Sequence, residues 1–191
     1  IAFSSGNHAQ GVALAAATRG LEATIVMPKD SPSIKIEGTQ AFGANVVTYD
    51  RYKESREEIG FALSKKYNAN LIKPYDDVRT IAGQGTVGLE IAQQLNALGL
   101  TPDAVLCCCG GGGLIAGLSV AVHGHFPDVS IWCSEPEFYD DTKRSLETNK
   151  VQRANTKKTS ICDAIVTPEP GKLTLPINRK HLSGGTVVSD N

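Results

Sequence analysis

The sequence of 191 residues lacks both an excess of charge and any long hydrophobic run. Its 19 lysine and arginine residues almost balance 20 aspartate and glutamate residues, which leaves a formal net charge of −1. A chain with that balance has no general electrostatic attraction for nucleic acid or for anionic lipid. No apolar stretch approaches the ~20 residues that a membrane-spanning helix needs, and the N-terminus lacks the layout of a signal peptide. We therefore expect a globular cytoplasmic protein with no nucleic-acid partner and no membrane partner.

Cysteine pairs with metal-ligand spacing are also absent. The chain has five cysteines, an odd number, and three of them are contiguous at Cys107, Cys108 and Cys109. This spacing suits neither zinc nor a disulfide framework. Alternate residues of a strand point to opposite faces, so Cys107 and Cys109 should share one face and Cys108 the other. We expect each of them to be buried as a small hydrophobic residue.

Strand and helix patterns alternate along the chain. Apolar, β-branched runs predict strands at Ile1–Phe3, Ala23–Met27, Asn45–Tyr49, Asn70–Ile72, Ala104–Cys109, Val129–Cys133 and Gly185–Val188. Helical periodicity predicts helices at about His8–Arg19, Ser33–Phe42, Tyr52–Tyr67, Val78–Leu98, Leu114–His123 and Asp140–Lys150. This alternation favours an α/β fold with two open, mainly parallel sheets and flanking helices on both faces.

A polar turn at Pro74–Asp77 predicts a domain boundary. We expect residues 1–75 to form a small α/β domain whose sheet contains the first four strands. Residues 76–191 should then form part of a large α/β domain, whose second sheet is incomplete.

A run of four glycines, Gly110–Gly113, separates the strand pattern at Ala104–Cys109 from a helix pattern. Residues without side chains let the backbone wrap an anion closely, and the N–H groups and dipole at a helix start favour negative charge. The run lacks the lysine and hydroxyl of a P-loop and the spacing of the dinucleotide fingerprint. It therefore predicts a phosphate site that is not a nucleotide site. The alternative is a tight strand-to-helix crossing that needs small residues for packing.

A second turn of this kind is Ser4-Ser5-Gly6-Asn7-His8, which also follows a strand pattern and precedes a helix pattern. The first N–H groups of a helix lack partners, so a carboxylate would fit there. The alternative is that Ser4 or Ser5 is only an N-cap and that His8 is a first-turn residue with no functional role. Because no Gly-x-Ser-x-Gly elbow exists, the pattern does not favour a hydrolase nucleophile.

Four motifs together resemble the serine/threonine dehydratases and serine racemases, which are fold-type-II enzymes dependent on pyridoxal 5'-phosphate (PLP). They occur in the order of that family and cover nearly the whole chain. They are Ser4–Gly11, Ile81–Thr86, Gly110–Leu114 and Ser134–Glu137. The turn Pro74–Asp77 looks more like the threonine dehydratase side of the family.

The resemblance implies a PLP-dependent ammonia-lyase that converts a hydroxy-amino acid, such as L-threonine or L-serine, into a 2-oxo acid and ammonia. It implies a catalytic role for Ser5, which would move a proton at the face of the cofactor ring. The residues implied to bind the substrate carboxylate are Ser4, Gly6, Asn7 and His8. The residues implied to bind the cofactor are Asn7, at the ring hydroxyl, and Gly110, Gly111, Gly112, Gly113 and Leu114, at the phosphate.

One family feature has no counterpart in the sequence. The lysine that binds the cofactor covalently lies upstream of the Ser-Ser-Gly-Asn-His motif in this family, and only three residues precede that motif here. We therefore expect an internal fragment with negligible turnover by itself. A truncated, non-catalytic module that binds PLP, another phosphate ligand or a partner protein stays an open alternative, as does a homo-oligomer.

Glu135 and Asp141 suggest a second type of site. Glu135 comes directly after a strand pattern and Asp141 follows six residues later, so two hard oxygen ligands could converge at a strand end. The resemblance implies a divalent cation, Mg²⁺ or Ca²⁺, held by these two acids and the backbone carbonyl of Tyr139. The alternative is that Asp140 and Asp141 cap the next helix in solvent.

Overall fold

The computed structural model describes residues 1–191 and contains six strands and seven helices. The chain divides into two compact units, Ile1–Pro74 and Tyr75–Asn191. None of the helices combines the length and the apolar composition that a membrane span requires. The assignment of residues 1–75 to a small domain and of 76–191 to a large domain stays a prediction.

The first unit is a parallel sheet in the order β1-β2-β3 with helices on both faces. Its elements are β1 (Ala2–Phe3), α1 (Asn7–Ala17), β2 (Thr24–Pro28), α2 (Ser33–Ala41), β3 (Asn45–Tyr49) and α3 (Arg56–Lys66). Ala9 and Ala13 of α1 are buried against one face, where small side chains let the helix lie close to the strands. Phe3 and Val26 pack on the other face beside α3. Both faces are covered, as predicted.

The fourth strand predicted for this sheet, Asn70–Ile72, is wrong. Only Ile72 pairs with the sheet, through a single bridge to Ala2, and its N–H donates to the carbonyl of Ile1 at 2.8 Å. Asn70 contributes only its carbonyl, which accepts the N-terminal amine of Ile1 at 2.9 Å. Pro74 follows closely and has no N–H to extend a ladder.

The second unit is a parallel sheet in the order β4-β5-β6. Its elements are α4 (Val78–Ala97), β4 (Ala104–Cys108), α5 (Gly113–His125), β5 (Ser130–Pro136), α6 (Asp141–Thr148), α7 (Thr174–His181) and β6 (Gly184–Val188). Ile131 and Cys133 lie on the face that packs with Ile115 and Val122 of α5. Leu106 points to the opposite face and is 64% exposed, so the helices cover only one face of this sheet. The prediction of helices on both faces is therefore wrong for the second sheet.

The cysteine run follows strand alternation, but only two of its three side chains are buried. Cys107 and Cys109 are buried in the core on one face, as predicted. Cys108 is exposed on the other face, so its predicted burial as a small hydrophobic residue is wrong. The reason is that no helix covers its side of β4.

Helix α7 has no counterpart in the sequence prediction. Pro168, Pro170 and Pro176 make this stretch look irregular, because proline interrupts a helix interior. Pro176, however, is the third residue of α7. The N–H groups of a first helical turn have no intrahelical acceptor, so a proline there removes no hydrogen bond.

Helices α4 and α5 cross at very short range because glycines line the contact. A Cβ added at Gly117 would collide with the carbonyl oxygen of Ile81 and would lie 2.6 Å from the backbone nitrogen of Gly85. A Cβ at Gly88 would lie 2.7 Å from the carbonyl oxygen of Leu118. These obstacles are backbone atoms, which cannot rotate away as a flexible side chain can. The crossing therefore depends on glycine.

We expect Gly117→Ala to lower the free energy of unfolding by about 1–3 kcal/mol, because it overpacks this contact. The matched control is Gly83→Ala in α4, where an added Cβ would meet no atom within 4 Å. Helix propensity alone favours alanine at both positions by up to ~1 kcal/mol. Chemical denaturation of both variants should therefore give changes of opposite sign. A stabilised Gly117→Ala protein would contradict the observed crossing.

Candidate functional site

The glycine turn, which we define as Gly110–Gly113, connects the carboxyl end of β4 to the first residue of α5. Gly112 is the N-cap and has a φ of +84°, in the left-handed region that favours glycine. Gly111, Gly112 and Gly113 are buried. The sequence prediction of a strand, a glycine turn and a helix start is thus confirmed as local structure.

The backbone N–H groups of this turn have no acceptor in the protein. None of the hydrogen bonds of the turn uses the N–H of Gly111, Gly112 or Gly113 as a donor. A buried N–H without a partner costs about 1–3 kcal/mol, and such groups are rare in folded proteins. Three of them next to one another, at the positive end of a helix dipole, form a site suited to an anion.

Packing also requires glycine at these positions, as the alternative interpretation of the sequence held. A Cβ at Gly111 would collide with the ring of Tyr75, and a Cβ at Gly110 would lie 3.1 Å from the Cα of Ile165. A Cβ at Gly112 would lie 2.6 Å from Nδ2 of Asn178. The glycine content alone therefore does not distinguish a phosphate site from a tight crossing. The N–H groups without acceptors do distinguish them.

Two side chains of α7 contact this turn and were missed in the sequence. The Thr174 hydroxyl donates to the carbonyl of Gly111 at 2.6 Å, and the Asn178 amide donates to the carbonyl of Gly112 at 3.5 Å. Both side chains are fully buried. No sequence signal could have found them, because they follow the glycines by more than 60 positions in a helix that was not predicted.

The second predicted motif forms the turn between β1 and α1 in the first unit. The Ser4 hydroxyl accepts the N–H of Gly6 at 3.2 Å, and α1 begins at Asn7. Gly6, not a serine, is the N-cap, and no side chain caps the helix. The alternative that Ser4 or Ser5 is an N-cap is therefore wrong. Ser5 is half-buried and Asn7 is exposed at the first turn of the helix.

His8 has a definite hydrogen-bonding state. Its Nε2 lies 3.3 Å from the carbonyl oxygen of Ile72, which can only accept, so Nε2 carries the proton. Burial lowers the pKa of His8, against a smaller opposing effect of this hydrogen bond. A neutral imidazole of this tautomer presents Nδ1 as an acceptor. His8 therefore supplies no positive charge for a substrate carboxylate, so attraction there comes from the N–H groups at the start of α1.

Glu135 and Asp141 are both 1% exposed in the second unit. The Glu135 carboxylate accepts the N–H groups of Thr142 at 3.0 Å and Lys143 at 2.7 Å, at the start of α6. Neither carboxylate oxygen of Asp141 has a hydrogen-bond partner. Tyr139 is also buried, and its hydroxyl donates to the carbonyl of Lys158 at 2.7 Å.

Burial perturbs the protonation of both acids. Loss of solvation raises the pKa of Glu135 to about 7, although its two backbone hydrogen bonds oppose the shift. Loss of solvation, and then the charge of Glu135, raises the pKa of Asp141 to about 8. The interpretation of Asp141 as a solvent-exposed cap is therefore wrong. A nearby proton or cation would relieve the cost of this buried pair.

The whole chain, residues 1–191, matches the protein family described as pyridoxal-phosphate dependent enzyme. The L-threo-3-hydroxyaspartate ammonia-lyase of Saccharomyces cerevisiae is 40% identical over 190 residues, and the serine racemase of Schizosaccharomyces pombe is 36% identical over 190 residues. Both matches include 100% of this chain but 57% of the relative. The chain thus spans just over half the length of these curated relatives.

Solved structures agree with these matches. A threonine deaminase from T.th. superimposes with a TM-score of 0.90 at 44% identity, over 99% of this chain and 61% of that chain. Maize serine racemase superimposes with a TM-score of 0.89 at 35% identity, over 99% of this chain and 56% of that chain. They confirm the predicted fold class of two mainly parallel sheets with flanking helices. Both the sequence match and the shared fold establish that this chain belongs to the pyridoxal-phosphate dependent enzyme family.

Proposed function

We propose that this protein is a PLP-dependent ammonia-lyase that acts on hydroxy-amino acids such as L-threonine and L-serine and yields a 2-oxo acid and ammonia. The observation that carries the proposal is the glycine turn, in which three buried glycines have N–H groups with no protein acceptor. The names of the similar proteins, which include ammonia-lyases for hydroxyaspartate and threonine, support it.

The glycine turn fits the phosphate group of PLP. Gly110 to Gly113, with the amide of Leu114, would hold the phosphate through backbone N–H groups at the start of α5. When bound, PLP supplies an electron sink that allows bonds at the α-carbon of an amino acid to break. This chain contributes the anion site, whose glycines Gly111, Gly112 and Gly113 are buried.

The turn between β1 and α1 would bind the substrate. The N–H groups at the start of α1, together with Ser4, Gly6, Asn7 and His8, suit a carboxylate. Asn7, which is exposed at the first turn of α1, would hydrogen-bond the ring hydroxyl of the cofactor, as the resemblance implies. The Ser5 hydroxyl would accept or donate a proton, as general acid–base groups do.

Activity assays test this proposal. The whole protein with PLP should release ammonia and a 2-oxo acid from L-threonine or L-serine. Ser5→Ala should lower kcat by about 10²-fold or more, because it removes a proton-transfer group, while PLP affinity stays within a factor of about two. Ser64→Ala in α3, whose hydroxyl donates only to the carbonyl of Ala69, is the control and should leave both unchanged.

Two outcomes would contradict the proposal, namely racemisation without release of ammonia and reversible binding of PLP without catalysis. Racemisation of L-serine without ammonia would favour the serine racemase activity named for other relatives. The second candidate function is a module that binds PLP reversibly without catalysis, since backbone N–H groups alone suffice to bind a phosphate.

Borohydride reduction followed by peptide mass mapping separates this module from an enzyme. Only an enzyme that binds PLP covalently gives an adduct on an identified lysine.

We also propose that Glu135, Asp141 and the carbonyl of Tyr139 hold a divalent cation, Mg²⁺ or Ca²⁺. Two buried carboxylates, one of them without a hydrogen-bond partner, are hard oxygen ligands. No three acidic, histidine or cysteine side chains cluster as metal ligands, so the main-chain carbonyl and water would complete the shell. The cation would neutralise the pair and fix the start of α6.

Unfolding in the presence of Ca²⁺ or Mg²⁺ tests the cation site. At pH 8, a cation at ~100 times its dissociation constant should stabilise the parent protein by about 2.7 kcal/mol relative to EDTA. Asp141→Asn should abolish this gain. It should also stabilise the protein in EDTA, because a buried carboxyl whose pKa is raised from 3.8 to about 8 destabilises the fold progressively as the pH rises between these two values. Asp140→Asn, which alters the pair with Arg144, is the control and should keep the cation effect.

A further inference from the structure

Helix α7 is attached to the glycine turn through two side chains on one of its faces. Thr174 and Asn178 are four residues apart, the spacing that places side chains on the same side of a helix. They donate to the carbonyls of Gly111 and Gly112, at 2.6 Å and 3.5 Å. The first hydrogen bond is short and the second is longer and weaker.

The geometry of the peptide bond converts these contacts into a direction for the N–H groups. In a planar trans peptide the C=O and the following N–H point in opposite directions. Because α7 holds the carbonyl of Gly111, the N–H of Gly112 must point away from α7. In the same way, the contact of Asn178 with the carbonyl of Gly112 directs the N–H of Gly113 away from α7.

Without such contacts a glycine run has many backbone conformations. An anion that bound a mobile turn would have to order it, and that cost would weaken binding. The start of α7 is itself held in place, because the N–H of Leu173 donates to Asp76 at 2.6 Å and the N–H of Gly171 donates to the carbonyl of Gly111 at 3.2 Å. The polar turn that contains Asp76 thus supports the helix that supports the glycine turn.

We propose that Thr174 and Asn178 are positioning residues for the cofactor phosphate. They do not contact the phosphate. They hold the carbonyls of the glycine turn on one side, so that its N–H groups converge on the other. This inference rests on the proposed binding of PLP phosphate by the glycine turn, and it adds that an element outside the glycine motif sets the affinity for phosphate.

The test compares PLP with pyridoxal, which has the same ring but no phosphate. The ratio of their dissociation constants measures the phosphate contribution alone, and a general loss of structure would not change it selectively. We expect Thr174→Val to reduce this ratio about tenfold or more and to weaken inorganic phosphate binding equally, with pyridoxal affinity unchanged. Thr174→Ser, which restores the hydroxyl, should return the ratio to the parent value.

Asn178→Leu provides a second variant of similar size. It removes the donor to Gly112 and also a buried Oδ1 that has no partner, so we expect the fold to tolerate it. The ratio should fall by about threefold, less than for Thr174→Val, because this hydrogen bond is longer. Thr148→Val in α6, whose hydroxyl donates to the carbonyl of Arg144, is the control and should change nothing.

The outcomes separate the two proposals. A parent protein that binds PLP no better than pyridoxal would contradict the phosphate site, and with it this inference. A parent that prefers PLP, together with Thr174→Val and Asn178→Leu variants that keep the same preference, would overturn the positioning role alone. Equal weakening of PLP and pyridoxal would also overturn it, because Thr174 would then be structural.

Discussion

The planar peptide between Gly111 and Gly112 is the constraint on which the site depends. Its carbonyl is held by Thr174 on one side, and its N–H, which has no acceptor in the protein, points to the other. Any side chain at Gly111 would collide with Tyr75. The chain therefore uses glycine so that neighbouring elements can pack against the turn, and that packing is what orders the N–H groups. The packing and anion-binding interpretations of the glycine run describe one structure.

Two strand-to-helix junctions of the second unit show the same electrostatics with different outcomes. At the start of α6 the N–H groups of Thr142 and Lys143 donate hydrogen bonds to the carboxylate of Glu135, an anion that the protein itself supplies. At the start of α5 the N–H groups of Gly111, Gly112 and Gly113 donate to no anion of the protein. Since helix starts attract negative charge in both places, the second one is suited to an external anion. The buried Asp141 instead requires a proton or a cation, because its carboxylate oxygens have no hydrogen-bond partner when they are charged.

The sequence predicted those features whose causes are local. Alternating periodicity predicted all six strands of the two parallel sheets and six of the seven helices, and the two turns after β1 and β4 follow from their small and polar residues. Helix α7 was missed because Pro176 resembles an interruption, although it lies in the first turn. The contact between Thr174 and Gly111 spans 63 positions, so no local pattern encodes it. Likewise, the burial of Asp141 depends on how α6 packs against β5, which charge spacing does not show.

Amide chemical shifts test the central claim most directly. Titration of the ¹⁵N-labelled protein with inorganic phosphate should shift the amide signals of Gly111, Gly112 and Gly113 most strongly, because their N–H groups would become hydrogen-bonded to the anion. Sulfate should compete at the same signals. If the largest shifts occurred at Asn7 and His8 instead, or if the glycine amides did not respond at saturating phosphate, the assignment of the glycine turn as the phosphate site would be wrong.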